Sequence, residues 1–264
     1  MTVDIQELGA NPSWLLRQAA HAFDKRHYWR ASWLCRIANH RNPNDYFTLC
    51  KYAQSLYHLG KEHDHKAASI YKRAIEINPT HPLAHAGLGL IHYENARRIY
   101  EEYSMFPGGS WLMFADEKSP ENENEFSLIT SYADSQVGNR KIAIKELEKA
   151  ASLTSDRNYR VSLLEMAAEI HCIMNLASGI EAYKRILDVA PNYVPAHFFL
   201  AGCYAESYSR HKQSPPTSYY GEHFRGNDKL AIKEYKFVKE NAPDLASDLE
   251  SILARCNIKI DKKS

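Results

Sequence analysis

Residues 179–206 read GIEAYKRILDVAPNYVPAHFFLAGCYAE, and this stretch decides the fold class. In its first part, small or apolar residues recur every three or four positions: Gly179, Tyr183, Ile186 and Val189. That spacing is typical of one apolar face on an α-helix. Pro191 then ends the helix, because proline lacks a backbone donor and clashes with the preceding turn. After a short turn the same spacing returns at His197, Leu200, Ala201 and Tyr204. The stretch therefore predicts two amphipathic helices joined by a tight turn.

The apolar spacing and the closing proline recur along the chain. Three further stretches share them: SWLCRIANHRNP (32–43), AASIYKRAIEINP (67–79) and AIKEYKFVKENAP (231–243). Partner helices are predicted in LAHAGLGLIHY (83–93) and RVSLLEMAAEIHC (160–172). In these, a small residue beside a large one lets two helices approach closely, as an antiparallel pair requires. Pro43 and Pro79 lie 36 residues apart, which indicates one helical hairpin repeated at a nearly constant period.

This recurrence resembles the tetratricopeptide-repeat (TPR) family, in which a two-helix hairpin repeats about every 34 residues. The shared pattern is a large residue, Leu and a small residue, an aromatic, a turn, Ala, an aromatic four positions later and a closing Pro. The resemblance covers residues 12–243 and implies an all-α fold, a right-handed α-solenoid of about five such hairpins. Residues 1–11 and 259–264 are expected to be tails. Residues 244–258 are expected to form a capping helix.

Two segments, about residues 107–125 and 209–226, are predicted to be insertions between the first and second helix of a repeat. Before the first insertion, IHYENARRIY (91–100) is predicted to continue one helix to about Phe106. The second helix of that repeat, IAIKELEKAASL (142–153), is expected only after Gly138. We interpret this region as one repeat with a long insertion. The alternative is two repeats, the first fused into a single helix, which would make six.

The TPR resemblance implies that the first helices of the hairpins line a concave groove for a partner. Nine residues on these helices lie outside the packing stripes: Leu16, Phe23, Phe47, Tyr57, Leu90, Tyr93, Leu164, His171 and Phe198. Burying one such side chain is worth about 1.5–3 kcal/mol, so a peptide or helix with apolar anchors is the expected partner. Some of the nine could instead fill gaps between repeats. The Lys and Asn clamp with which one branch of the family grips chaperone C-termini is absent.

Both insertions carry large apolar residues that are candidate contacts: Trp111, Met113, Phe114, Tyr219, Tyr220 and Phe224. One hypothesis is that an insertion folds over the groove as a lid, or offers a second docking surface. The alternative is a loop whose aromatic residues are incidental.

The composition bears on three questions: whether the partner is a nucleic acid, whether the chain spans a membrane, and in which compartment it lies. The chain has 33 basic and 32 acidic side chains, whereas phosphate binding normally needs a basic excess, so no nucleic-acid partner is expected. No apolar run approaches the ~20 residues that span a bilayer, and the first residues do not resemble a signal peptide. The five scattered cysteines lack zinc-ligand spacing and suit reduced thiols, which predicts a cytoplasmic protein.

No motif for catalysis stands out. His81, His85 and His92 resemble a ligand cluster, but His85 and His92 occupy the packing stripe, so we interpret them as packed histidines. Neither a nucleophile elbow nor a glycine-rich phosphate loop is present. We therefore expect no catalytic residue, metal or cofactor, and predict a non-catalytic protein-interaction module or adaptor. The alternative is a structural subunit built permanently into a larger assembly. An RNA-binding helical repeat fits less well, because the predicted groove is apolar.

Overall fold

The computed structural model describes residues 13–104, 123–211 and 227–260, and the regular structure in these ranges is helical. Eleven α-helices lie there, together with a short 3₁₀ turn at Lys61–His63. They are α1 (Trp14–Asp24), α2 (Tyr28–Arg41), α3 (Tyr46–Tyr57), α4 (Asp64–Ile77), α5 (Pro82–Ser104), α6 (Glu123–Leu153), α7 (Arg157–Met174), α8 (Leu176–Val189), α9 (Val194–His211), α10 (Asn227–Asn241) and α11 (Pro243–Arg255). None of the helices in these ranges combines the length and the apolarity needed to cross a membrane.

The helices pair in chain order and form two compact units, divided after Thr154. In unit 1, α1 packs on α2, α3 on α4 and α5 on α6. In unit 2, α7 packs on α8 and α9 on α10, and α11 contacts both helices of the last pair. The described residues thus contain five hairpins followed by a closing helix, which confirms the all-α fold of repeated hairpins expected from the sequence.

The region between Pro82 and Leu153 differs in detail from the sequence prediction. α5 and α6 form one hairpin, as the interpretation of a single repeat requires. However, α6 begins at Glu123 and continues through Gly138, so the two helical stretches on either side of that glycine are one helix. The prediction that the second helix starts only after Gly138 was therefore wrong. A glycine inside a helix costs only about 1 kcal/mol relative to alanine, too little to break a helix of 31 residues.

The residues predicted to pack the hairpins are mostly buried. The aromatic residues of the second helices, Tyr71, Tyr183 and Tyr235, and the Leu-small pair at Leu200 and Ala201 lie in the core. Ile77 is an exception: it is the last residue of α4 and is exposed. Local spacing alone therefore identifies the core side of most helices, and fails at a helix end.

Side-chain caps fix where several helices begin. The Asp156 carboxylate accepts hydrogen bonds from the backbone N–H groups of Asn158 (2.8 Å) and Tyr159 (3.1 Å) at the start of α7. Ser13, Asp45 and Asn175 cap α1, α3 and α8 in the same way. At the other end, Pro43, Pro79 and Pro191 directly follow the C-cap residues of α2, α4 and α8.

Loss of the α7 cap should weaken unit 2. We expect Asp156→Ala to lower the free energy of unfolding by about 1 kcal/mol, because two backbone donors lose their acceptor. Asp156→Asn keeps an acceptor oxygen and should retain most of the stability. Urea denaturation followed by circular dichroism measures both variants. Equal stability of Asp156→Ala and the wild type would contradict the role of the cap.

Candidate functional site

Two of the predicted groove residues, Leu16 and Phe23, belong to the core of unit 1. Their exposed fractions are 1% and 4%, so the prediction that they face a partner was wrong. Phe23 packs edge-on against the rings of Tyr28 and His58, with each centroid distance 5.2 Å. The ammonium group of Lys51 lies 4.3 Å from the Phe23 ring centroid. α1 contacts α3 as well as α2, so the helix side assigned to the groove is already occupied.

The other predicted positions of unit 1 are half-buried: Phe47, Tyr57, Leu90 and Tyr93. The Phe47 ring meets the His81 ring edge-on at 5.5 Å, and the Tyr57 ring meets His58 at 5.2 Å. Phe47 and Tyr57 both pack against the buried core of unit 1 and keep part of their surface accessible.

In unit 2 the predicted positions Leu164, His171 and Phe198 are also half-buried. Phe198 is edge-on to Phe199, at a centroid distance of 5.5 Å. Phe199 is itself exposed and stacks on the buried Tyr183 ring at 5.4 Å. Apolar surface on α9 is therefore accessible beside Phe198.

The candidate contacts in the insertions fall outside the described residues. Trp111, Met113 and Phe114 lie in 105–122, and Tyr219, Tyr220 and Phe224 lie in 212–226.

The sequence interpretation missed the most exposed large apolar side chains among the described residues of unit 1. Trp14 is 62% exposed, Trp29 70% and Trp33 44%. Trp29 and Trp33 are one turn apart on α2, beside the exposed Arg30 and Arg36. We call Trp29, Trp33, Arg30 and Arg36 the Trp–Arg face. The signal was available in the sequence, because assigning Ala31, Cys35 and Ala38 to the packing stripe leaves both tryptophans on the outer side of α2.

The repeated hairpins have counterparts among solved structures. A crystal structure of MamA is 14% identical to this chain, covers 94% of it and 96% of MamA, and superposes with a TM-score of 0.53. A second MamA structure is 15% identical, with coverages of 90% and 96% and a TM-score of 0.52. These structural neighbours are TPR proteins. The chain has the TPR fold.

At these identities the likeness concerns the fold alone. A crystal structure of TTC0263, a thermophilic TPR protein of Thermus thermophilus, is 16% identical, with coverages of 91% and 97%. Its TM-score of 0.46 adds nothing to the assignment. No protein-family model matches the chain, and no curated protein matches it.

Within the TPR hairpins, buried polar side chains form the same arrangement twice. In unit 1, His85 Nδ1 lies 2.6 Å from Glu146 Oε2, and its Nε2–H donates to the Pro79 carbonyl at 3.0 Å. In unit 2, His197 Nδ1 lies 2.5 Å from Glu234 Oε2, and Nε2–H donates to the Pro191 carbonyl at 2.8 Å. Each histidine thus ties the first helix of a TPR hairpin to the second helix and to the preceding turn.

The remaining histidines of the predicted cluster are also bound within the TPR core. His81 Nδ1 lies 3.1 Å from the Tyr46 hydroxyl, and His92 Nδ1 lies 2.7 Å from Asn139 Oδ1. Burial lowers the pKa of His92, and the hydrogen bond to Asn139 partly offsets that effect. In the part of the chain that the structure describes, no three His, Cys, Asp or Glu side chains converge as metal ligands. Each of these four histidines thus has a hydrogen-bond partner within the described hairpins.

Proposed function

We propose that this chain is a protein-binding module that acts through its surface and carries out no catalysis. The observation that supports this best is the Trp–Arg face. Tryptophan and arginine are enriched among the residues that dominate protein interfaces, and exposed apolar patches mark interaction sites. Trp29 keeps 70% of its surface accessible after folding, which is surface that a partner can bury.

The charge of α2 indicates the chemistry of the partner. The helix contains Arg30, Arg36 and Arg41, all exposed, and no Asp or Glu. An acidic protein segment with apolar anchors would match both the arginines and the tryptophans. The net charge of +1 supports a protein partner over a nucleic acid. The five thiols support a reducing compartment such as the cytoplasm.

The half-buried positions on the first helices support a second contact region. Phe47, Tyr57, Leu90 and Tyr93 in unit 1 keep accessible apolar surface, as do Leu164, His171 and Phe198 in unit 2. We propose that a peptide or helix with apolar anchors binds there, within one unit or the other. Leu16 and Phe23 take no part, because both are buried.

The alternative is a structural subunit of a larger assembly. The TPR resemblance assigns the partner groove to the first helices. The Trp–Arg face lies on α2, which is the second helix of its hairpin, so it favours this alternative. A permanent assembly would bury this face together with large apolar areas elsewhere, whereas an adaptor would release its partner.

The test compares variants of the two regions by affinity purification of the full-length tagged chain from its source cells. We expect Trp29→Ala/Trp33→Ala to weaken capture of a stoichiometric partner by about 30-fold, the equivalent of about 2 kcal/mol. Phe47→Ala/Tyr57→Ala/Tyr93→Ala tests the first-helix region of the same unit. Leu245→Ala, which removes an exposed apolar side chain from α11 in unit 2, is the matched control.

Circular dichroism must first show equal helicity in all four proteins. A partner lost only with the tryptophans assigns binding to the Trp–Arg face, and one lost only with the triple variant assigns it to the first helices. A partner that resists high salt and never exchanges favours the structural subunit. Failure of every protein, wild type included, to retain a stoichiometric partner would overturn the proposed function.

A further inference from the structure

Two cysteine thiols meet inside unit 2. Cys172 on α7 and Cys203 on α9 have their Sγ atoms 3.3 Å apart, within hydrogen-bonding contact for sulfur. The two residues are 31 positions apart in the chain, on the first helices of successive TPR hairpins. Forming a disulfide requires an S–S distance of about 2.05 Å, so the sulfurs need to approach by roughly 1.3 Å. That displacement is within reach of a side-chain rotation.

The surroundings of Cys172 leave room for its sulfur. A Cβ atom at Gly179 on α8 would lie 2.2 Å from Cys172 Sγ. The absence of a side chain at this position therefore leaves space for the thiol. Cys172 is half-buried, whereas Cys203 is buried. An oxidant from solvent therefore reaches Cys172 first, with Cys203 held in contact as the second thiol.

The electrostatics of the pair give the two thiols different reactivity. The hydrogen bond with Cys203 lowers the pKa of Cys172, against the effect of its partial burial. The same bond, together with burial, raises the pKa of Cys203. The other thiols are poorer nucleophiles, because burial raises the pKa of Cys35 and of Cys50 to about 12. Burial and the nearby Glu206 carboxylate also raise the pKa of Cys256. The thiolate is the reactive form, so Cys172 should react first.

We infer that Cys172 and Cys203 form a redox-active dithiol, which hydrogen peroxide converts into a disulfide that joins α7 to α9. In the first step the Cys172 thiolate attacks one peroxide oxygen and the O–O bond breaks. This gives a sulfenic acid, and the departing hydroxide takes up a proton to form water. In the second step Cys203 Sγ attacks the Cys172 sulfur and the S–O bond breaks. The departing hydroxide takes the Cys203 proton as a second water. The two thiols lose two electrons, and one peroxide is reduced to two waters.

The disulfide would constrain unit 2. It closes a loop that contains all of α8 and the turn before α9. Because a cross-link of this length removes conformational freedom from the unfolded chain, the oxidised protein should unfold at a higher temperature than the reduced protein. Cys203 and Tyr183 belong to the same buried cluster of unit 2, and Cys172 packs against that cluster.

The test exposes the reduced full-length chain to hydrogen peroxide, blocks the remaining thiols with an alkylating agent and maps the peptides by mass spectrometry without reduction. We expect one intramolecular disulfide between Cys172 and Cys203, the loss of two of the five alkylatable thiols, and full reversal by dithiothreitol. Brief alkylation before oxidation should label Cys172 ahead of Cys35 and Cys50.

Serine variants separate the two steps. Cys203→Ser should stop the reaction at a Cys172 sulfenic acid, which dimedone traps, and Cys172→Ser should give no adduct at Cys203. The exposed Met174, at the end of α7, reports the peroxide dose through its sulfoxide. Five alkylatable thiols at a dose that already oxidises Met174 would overturn the inference. A disulfide from Cys203 to Cys256, or one between two chains, would overturn it as well.

Discussion

Replacing His85 with leucine should lower the free energy of unfolding of unit 1 by about 3 kcal/mol, the upper end of the range for leaving a buried polar group without its hydrogen-bond partner. The reason is the Glu146 carboxylate, which is buried and lies 2.6 Å from His85 Nδ1. Lys145 Nζ is 3.6 Å from the other carboxylate oxygen, but that lysine is exposed and compensates little. The Pro79 carbonyl also loses its donor.

The double variant His85→Leu/Glu146→Leu should recover most of this loss, because it removes the carboxylate that the single variant leaves buried. Chemical denaturation of the single and double variants gives the coupling energy between the two side chains. His65→Leu, at an exposed position of α4, is the control and should change stability by less than about 0.5 kcal/mol. The same set of single and double variants at His197 and Glu234 repeats the experiment in unit 2. A double variant no more stable than His85→Leu would show that the pair is not the source of the effect.

These pairs illustrate what the sequence can and cannot reveal. The helical spacing placed His85 and His197 on packing faces, and both are buried. Their partners could not be read from the spacing, since Glu146 and Glu234 lie 61 and 37 residues further along the chain. Helix periodicity is a local property, whereas a buried carboxylate depends on which helices come together. The hairpins themselves were predictable because prolines, caps and apolar spacing all act within a few residues.

The candidate site was less predictable for a related reason. A periodic stripe assigns one buried side to each helix, but a helix inside a stack of hairpins contacts several neighbours. α3 packs on α4, α2, α5 and α1, and even its Lys51 and Gln54 are buried, joined by a hydrogen bond of 3.1 Å. The sides of α1 that carry Leu16 and Phe23 are buried for the same reason. By contrast, α2 keeps one side in solvent, and Trp29 and Trp33 lie exposed on that side, although the sequence interpretation did not single them out.

Glycines on the first helices set how closely the hairpins pack, and Gly87 gives the sharpest test. A Cβ atom at this position of α5 would lie 2.2 Å from Tyr71 Cζ and 2.6 Å from its hydroxyl oxygen. Tyr71 is buried in the core on α4, so its rigid ring cannot turn away into solvent. We expect Gly87→Ala to lower the free energy of unfolding of unit 1 by about 2–3 kcal/mol, as forced overpacking of a core does.

Gly138→Ala is the matched control, because it adds the same methyl group to a glycine inside a helix of the same unit. Nothing lies within 4 Å of a Cβ atom at that position, so the substitution should stabilise unit 1 by about 0.5–1 kcal/mol. Thermal and urea denaturation of both variants should therefore shift in opposite directions. In a Tyr71→Leu background the ring is absent, and Gly87→Ala should lose most of its cost. If Gly87→Ala and Gly138→Ala changed the free energy of unfolding equally in the wild-type background, the contact between α4 and α5 would be looser than the structure shows. The close packing of these two helices would then not depend on Gly87.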